Sequence, residues 1–538
     1  MKNPNPTFPF VTLRDRTVSR IPMHRQIYEK MRQAILSGEL PARSRIPSSR
    51  ALALQLGISR MTVVNAYDQL LAEGYLEGKI GAGTFVAGAL PEELMQTAKT
   101  RAVKTAAFSR GLNLSKQGRL MARSFDDVLL EHEGTKFTPF QNGLTAVDSF
   151  PFNTWTRIAA RQHRLTPSAT LLNGDLAGFR PLRETLAAHL KSARGVVCEP
   201  EQIIITAGTQ QALALIAAVF LDQNDEIWME DPGYLSARNL FALSRAKIIP
   251  VPVDKDGLNL KAAYERSKKP KLVYVTPSHQ YPLGVTMSLA RRLSLIEAAR
   301  ATGAWIIEDD YDSEYRYRGH PLASLQGLDE EGRVLYVGTF SKTIYPTLKL
   351  GCLVVPPDLV DVFTSGRILS GAQSPLINQA ILAEFIAEGH FARHVRRMRT
   401  LYEERQQILV EEVKRNLRGL VEMKADDAGM HLVGWLPDYL DDQEVAQKAA
   451  LQNVRFQSIS DSSINKYKRN GLVFGYAAFD EKQIKRGVRK LTKVLTEMMR
   501  NQDNPIPRGS FHFDNRRVRR VSISSGVEYF KEHIKIKC

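Results

Sequence analysis

The sequence predicts a two-part molecule, a small helical module followed by a large α/β domain around a mainly parallel sheet. Three observations predict it. Residues 12–86 carry short amphipathic helical patterns that run one after another into a Gly-rich hairpin. Residues 87–136 lose any sustained apolar period and are rich in Lys, Arg, Ala and Ser, which reads as a linker. From 137 to 500, short β-rich apolar runs alternate with longer helical patterns. A chain of 538 residues is also too long for one ordinary domain.

In the first module Ile27, Met31, Ala34 and Ile35 mark a helix that ends at Ser37-Gly38. Ser48 to Leu56 is a second, short helix with serine at its start, where a hydroxyl can cap free amides. Gly57-Ile58 makes a tight turn, and Ser59 opens a third helix with Val63, Tyr67 and Leu70 on one face. Tyr75-Leu76-Glu77 and Thr84-Phe85-Val86, joined through Gly78 to Gly83, read as a two-stranded wing. Two short helices joined through Gly are the helix-turn-helix pattern, whose second member enters the DNA major groove. Arg60, Thr62 and Asn65 then fall where base edges can be reached. Arg45, Ser48, Ser49, Arg50, Ser59 and Lys79 suit phosphates, with Gly81 and Gly83 in the wing beside them. Any one of these read alone is equally a solvated surface residue; the order, the turn glycine and the wing agree on double-stranded DNA.

Composition narrows the rest. Hydrophobic residues make up 43% and charged residues 24%, as in globular proteins. The longest apolar run, Ala212 to Leu221, is too short to span a membrane. The N-terminus has no apolar core of a secretory signal. Three widely spaced cysteines (Cys198, Cys352, Cys538) argue against a disulfide scaffold or a metal cluster, and a cytoplasmic location is expected. The net charge of +17 invites a polyanion, and residues 1–86 hold two basic residues for each acidic one. Asn504-Pro505-Ile506-Pro507 breaks the chain, and residues 501–538 form a basic tail around Arg516-Arg517-Val518-Arg519-Arg520, either a solvated extension or an extra phosphate contact.

The second domain offers the parts that pyridoxal phosphate (PLP) chemistry needs: a lysine for a Schiff base, an acid opposite the ring nitrogen, a phosphate cradle and a cover for the ring. Lys342, in Gly338-Thr339-Phe340-Ser341-Lys342, follows the strand Leu335–Val337, and Thr339 and Ser341 supply hydroxyls. Alone, such a lysine is equally a strand-end cation reaching for water. Asp309 and Asp310 end the strand Trp305–Ile307, at the sheet edge where open α/β folds bind ligands. Asp312 and Glu314 read better as an acidic capping turn. Ala207-Gly208-Thr209-Gln210-Gln211 joins a strand to a helix start, which suits a phosphate. Asp231-Pro232-Gly233-Tyr234 follows another strand and can set Tyr234 over a ring or simply into packing.

On these residues the segment Pro22–Val86 resembles the GntR-type winged-helix regulators, through Arg45-Ile46-Pro47-Ser48-Ser49-Arg50, Leu56 to Val63, Glu73-Gly74-Tyr75-Leu76 and Gly81 to Val86. Ala42 stands where that family usually has Gly. Residues 137–495 resemble the fold type I, aspartate aminotransferase-like enzymes, through Gly178 to Arg183, Ile205 to Leu213, Thr276-Pro277-Ser278-His279-Gln280-Tyr281-Pro282 and Glu308 to Glu314. Together the chain looks like the MocR/GabR family of regulators. The resemblance implies a fold type I domain with a smaller C-terminal α/β subdomain, Lys342 as the Schiff-base lysine and Asp309 at the pyridine nitrogen. It implies Tyr311 at the ring's phenolic oxygen, helped by the His279-Gln280 turn, and Tyr234 stacked on the ring. Gly208, Thr209, Gln210, Thr339, Ser341 and Lys349 would line the phosphate, and the chain would form a head-to-tail homodimer.

Two departures bear on function. Lys349 stands where the family usually has Arg, which keeps the charge but loses the bidentate fork. Amino-acid-binding members supply a C-terminal arginine for the substrate carboxylate, but no arginine lies between Arg455 and Arg469. Either Arg455 or Lys466 does that work, or the effector is PLP itself or an amine without the carboxylate; Ser236 near Tyr234 offers no cation. The expected function is a PLP-dependent DNA-binding transcription regulator sensing PLP, an amine or an amino acid, rather than a turnover enzyme. The alternatives are an active aminotransferase with an appended reader and a cofactor-independent DNA-binding dimer.

Overall fold

The computed structural model describes residues 21–79, 82–90, 114–123, 138–166, 174–319, 322–371 and 374–503. The chain divides into two compact units, 1–113 and 114–538.

The first unit holds α1 (Met23–Leu36), α2 (Ser49–Leu56), α3 (Arg60–Ala72) and the hairpin β1 (Leu76–Lys79) and β2 (Gly83–Val86). Ile27, Leu52, Val63 and Leu70 from all three helices are fully buried together, so the apolar faces read from the sequence make one core. The Ser48 hydroxyl accepts from the Ala51 amide and caps α2, and Gly57 closes that helix with φ 64°. Strand β1 runs two residues beyond the expected Glu77, because Lys79 pairs with Gly83 across the wing. The Ala42 departure is harmless here, since the positive φ in that turn falls on Arg43 (φ 63°). Gly81 and the basic tail from 504 lie outside the described residues.

The second unit centres on an eight-stranded sheet in the order β3-β10-β9-β8-β7-β4-β5-β6. These strands are β3 (Ile203–Thr206), β4 (Glu226–Asp231), β5 (Lys247–Asp254), β6 (Gly257–Leu258), β7 (Leu272–Val275), β8 (Trp305–Asp310), β9 (Val334–Thr339) and β10 (Gly351–Val354). Pairings β4–β5, β4–β7, β7–β8 and β8–β9 are parallel, whereas β10 runs antiparallel to both β9 and β3. Alternate residues enter opposite layers: Ile203 and Ile205 face one cluster, Ile204 the other. Both faces are therefore covered, which is why these strands read as unbroken apolar runs. The helix α4 (Arg180–Arg194) belongs to the first cluster, and α5 (Thr209–Phe220) and α6 (Leu235–Leu243) to the second.

A smaller four-stranded antiparallel sheet follows, ordered β11 (Glu422–Met423), β12 (His431–Trp435), β14 (Gly471–Gly475) and β13 (Gln457–Ser458). The helices α7 (His390–Asn416), α8 (Asp442–Leu451) and α9 (Glu481–Asp503) contribute to its core. The segment from 138 docks on this sheet through a bridge between Phe140 and Gly475. Within the stretch expected to be linker, Lys116–Arg123 forms a helix that packs on α6, its first turn held by the Ser115 hydroxyl accepting from the Gly118 amide. No helix among the described residues is long and apolar enough to cross a membrane.

Candidate functional site

The carboxyl edge of the large sheet gathers the expected residues. Tyr234 follows β4, His279 follows β7, Asp309 lies at the end of β8 with Tyr311 just after it, and Lys342 follows β9. At the antiparallel end, Gly351 pairs with Thr206 on one side and Thr339 on the other. That register sets Gly208-Thr209, Thr339-Ser341 and Lys349 side by side. Gly351 is needed there, because a Cβ would lie 2.9 Å from the Gly208 Cα.

Lys342 is half-buried, and its Nζ donates to the Gly143 carbonyl at 3.0 Å. Its backbone is anchored by the Tyr315 hydroxyl, which donates to the Lys342 carbonyl at 3.0 Å. Gly143, at φ 77°, has no room for a side chain, since a Cβ would meet Lys342 Nζ at 2.6 Å. Asp309 is 3% exposed; its Oδ2 accepts from the Tyr274 hydroxyl at 2.7 Å, and its Oδ1 has no hydrogen-bond partner. Burial pushes its carboxyl up to about 7, against the pull of the Tyr274 bond, with the Lys342 charge also lowering it. An unpartnered buried carboxylate oxygen is costly unless a donor meets it. A protonated pyridine nitrogen is such a donor.

The residues expected at a phosphate lie around the start of α5 and the turn after β9. Gly208 (φ 99°) precedes the first residue of α5, with open space where a Cβ would stand. Gln210 Nε2 donates to the Tyr234 hydroxyl at 3.4 Å, which ties the ring cover to the cradle. The Thr339 hydroxyl accepts from the Ser341 amide at 3.2 Å. Lys349 is exposed and left-handed (φ 51°).

Other expectations are placed differently. The Gln280 side chain donates to the Pro232 carbonyl at 3.0 Å and accepts from the Leu283 amide at 3.0 Å, so it braces two turns. Asp312 is more than a capping acid. It is 1% exposed, caps nothing with its side chain, and lies 3.0 Å from His279 Nδ1. Asp310 is structural, held by Arg194 Nε and the Tyr336 hydroxyl at 2.7 Å each.

At the expected carboxylate anchor Arg238 Nη2 donates to the Asp461 carbonyl at 3.3 Å and Arg455 is half-buried, while the groups around Tyr281 are neutral. Asn142 Nδ2 donates to the Tyr281 hydroxyl at 2.8 Å, and that hydroxyl donates to Gln457 Oε1. Gln457 Nε2 donates to the Ser462 hydroxyl at 3.0 Å. Asp461 turns away, accepting from Gln443 Nε2 at 2.7 Å, while Lys466 is exposed. Asp231 is occupied by the Ile464 and Asn465 amides at 2.7 and 3.1 Å. Asn142, Gly143, Tyr274, Tyr281 and Gln457 escaped the sequence reading. Their only sequence signal is a polar group inside an apolar strand or beside a motif.

In the first unit Arg45, Ser48, Arg50, Ser59, Arg60, Asn65, Lys79 and Gly83 are exposed, while Ser49 and Thr62 are half-buried. Arg60 Nε reaches the Ser49 hydroxyl at 3.5 Å, joining the starts of α3 and α2. Arg45 bridges to Phe85, and Lys79 Nζ lies 5.4 Å from the Phe85 ring centre.

Residues 146–491 match the family "Aminotransferase class I and II", and residues 23–86 match "Bacterial regulatory proteins, gntR family". The probable rhizopine catabolism regulatory protein MocR of Rhizobium meliloti is 40% identical over 91% of this chain and 97% of its own. The chain belongs to the MocR-type regulators. The pyridoxine biosynthesis transcriptional regulator PdxR of Corynebacterium glutamicum is 34% identical over 85% of the chain and 92% of its own length. Among solved structures, the multiple substrate aminotransferase of Thermococcus profundus superposes with TM-score 0.66 at 29% identity, covering 72% of this chain and 98% of that one. The kynurenine aminotransferase of Pyrococcus horikoshii, solved with PMP, superposes with TM-score 0.64 at 27% identity, covering 76% and 98%. This MocR-type chain thus joins a GntR winged helix to a fold type I domain, and it is a transcription regulator by family.

Proposed function

We propose that the protein is a PLP-dependent, DNA-binding transcription regulator of the cytoplasm that senses PLP or an amine through a Schiff base at Lys342. The observation that carries this reading is the pair formed by the Lys342 amine and the unpartnered Asp309 oxygen at one sheet edge, in a chain that also bears a winged helix. Bound there, the cofactor supplies an electron-withdrawing ring joined to an amine. Asp309 would hold the ring nitrogen, Tyr311 the phenolic oxygen and Tyr234 a ring face. Gly208, Thr209, Gln210, Thr339, Ser341 and Lys349 would hold the phosphate, partly through amides at the start of α5.

The neutral set Asn142, Tyr281 and Gln457 agrees with an effector without a carboxylate, whereas Arg238, at the Asp461 carbonyl, is the charged partner that an amino acid would call on. Two relatives are named as regulators, one as the probable rhizopine catabolism regulatory protein and one as a pyridoxine biosynthesis regulator, which agrees with a regulatory role. On the DNA side, α3 would enter the major groove with Arg60, Thr62 and Asn65 at base edges. Arg45, Ser48, Ser49, Arg50, Ser59, Lys79 and the wing would face phosphates. A head-to-tail homodimer would present two readers to one operator.

A second reading, a turnover aminotransferase, is favoured by the solved aminotransferases of the same fold. The two separate on one preparation. Purified protein titrated with PLP should turn yellow, Lys342→Ala should lose the borohydride-trapped adduct, and adding an amine should change operator binding. Sustained turnover with an amino donor and a keto acid would favour the enzyme. A protein colourless after PLP addition would overturn the cofactor reading.

A further inference from the structure

His279 lies in the turn after β7 and is 1% exposed. Its Nδ1 is 3.0 Å from Asp312 Oδ2 and 3.1 Å from the Tyr311 hydroxyl. The Tyr311 hydroxyl in turn donates to the His279 carbonyl at 2.9 Å. On the other side Nε2 has no hydrogen-bond partner, and Asp426 Oδ2 stands 3.8 Å away. The backbone lies close against the ring. A Cβ on Gly429 would come 2.1 Å from its Cε1, and one on Gly284 would come 3.3 Å from Nε2. Two glycines therefore let the backbone close on the imidazole from the side of the small sheet and the side of the Pro282 turn.

The charges around the ring have one sign on both sides. Asp312 is buried beneath it, and Asp426 lies on the loop before β12, where it lines a cavity of about 230 Å³ with Gly284, Lys424 and His431. His431, with its ring centre 5.0 Å away, is pushed down to about 3 by burial and by the His279 charge, so it is neutral. Lys342 acts on Asp312 and His431, and Asp309 and Glu230 act on Tyr311. Burial works against a charge on His279, but Asp312 and Asp426 outweigh it and lift the group to about 10. The two carboxylates thus favour the imidazolium form of His279. With both ring nitrogens protonated, its Nδ1–H is shared between Asp312 and the Tyr311 oxygen.

We propose that His279, held between Asp312 and Asp426, is a positioning residue that fixes the Tyr311 oxygen from two sides, through its ring Nδ1 and its own carbonyl, for contact with the phenolic oxygen of the bound cofactor. This rests on the reading that PLP binds at Lys342. To give its single proton to the cofactor, the Tyr311 hydroxyl leaves the His279 carbonyl, and a donor at Nδ1 strengthens the bond it then gives. A charged donor strengthens it more than a neutral one, and a stronger bond favours loss of the proton from the lysine-bound cofactor. Removing the charge, or the donor with it, makes that proton harder to lose.

The test is a pH titration of the visible absorbance of the PLP-loaded full chain. His279→Gln keeps a donor without the charge and should raise the midpoint by about one pH unit. His279→Phe, which removes both, should raise it further and weaken PLP binding several-fold. Tyr311→Phe should raise the midpoint too, and the double variant His279→Gln/Tyr311→Phe should add little to it, because one residue acts through the other. Shifts that add in full, or a wild-type midpoint in a His279→Gln protein that binds PLP, would overturn the proposal. If His279→Phe fails to fold, the His279→Gln and double variants still decide. A wild-type chain without a visible band, or a band that survives Lys342→Ala, would bring down the cofactor reading itself, and this inference with it.

Discussion

A single hydroxyl decides which oxygen of Asp309 is left for a ligand. Tyr274 occupies Oδ2 from inside β7, so Oδ1 alone is left without a partner. Tyr274→Phe leaves a second buried carboxylate oxygen without a donor, at a cost of about 1–3 kcal/mol. The variant should unfold at lower urea concentration, and its PLP affinity should change less than that of Asp309→Asn, which loses the group itself. Equal effects of both on PLP affinity would put Tyr274 in the binding machinery. Lys342 and Asp309 were legible in the sequence because each sits in a short motif at the end of an apolar run. Tyr274 and Asp312 were not, because their partners lie 35 and 33 residues away along the chain. Asp312 in particular read as a capping acid, since an acidic turn after a strand has the same local pattern whether or not a histidine waits beneath it.

At the scale of elements, the proposed function has α3 and the wing divide the work of DNA recognition by geometry. Arg60 opens α3 and is exposed, while Lys79 sits on the wing beside Phe85. Arg60→Ala should relax preference among operator variants, costing about 1–3 kcal/mol at the best site. Lys79→Ala should weaken all sequences alike and reduce the salt slope of binding by about one. Binding isotherms on matched and mismatched operators across a salt series separate the two; a uniform loss for Arg60→Ala would move it to the phosphate class. The helices, turn and wing were legible because each has a local cause: the Ser48 cap, the Gly57 turn and the apolar spacing of α3. The wing strand was read two residues short because pairing, which extends it to Lys79, is a property of the partner strand. The helix Lys116–Arg123 was missed because its apolar support comes from α6, far along the chain.

For the whole molecule, the proposed function makes DNA binding and effector binding two views of one equilibrium. Coupling of this kind is reciprocal. If PLP or an amine changes operator affinity by some factor, saturating operator should change effector affinity by the same factor, measured by titration with and without DNA. A change in one direction only would sink the allosteric part and leave a reader and a cofactor site that merely share a chain.

The sequence by itself determined the two folds, their order, the reader helix, and Lys342 with Asp309 at strand ends, because each of these is written in local periodicity, capping and short motifs. Tertiary structure alone decided what surrounds them. It sent Gln280 to brace turns, raised Asp312 from a capping acid to the partner of His279, and put Asn142, Tyr281 and Gln457 where a cation was sought. Those outcomes depend on which strands lie side by side and how closely glycines let backbones approach. Both are set by packing between segments 33 to 176 residues apart, and no local pattern encodes them.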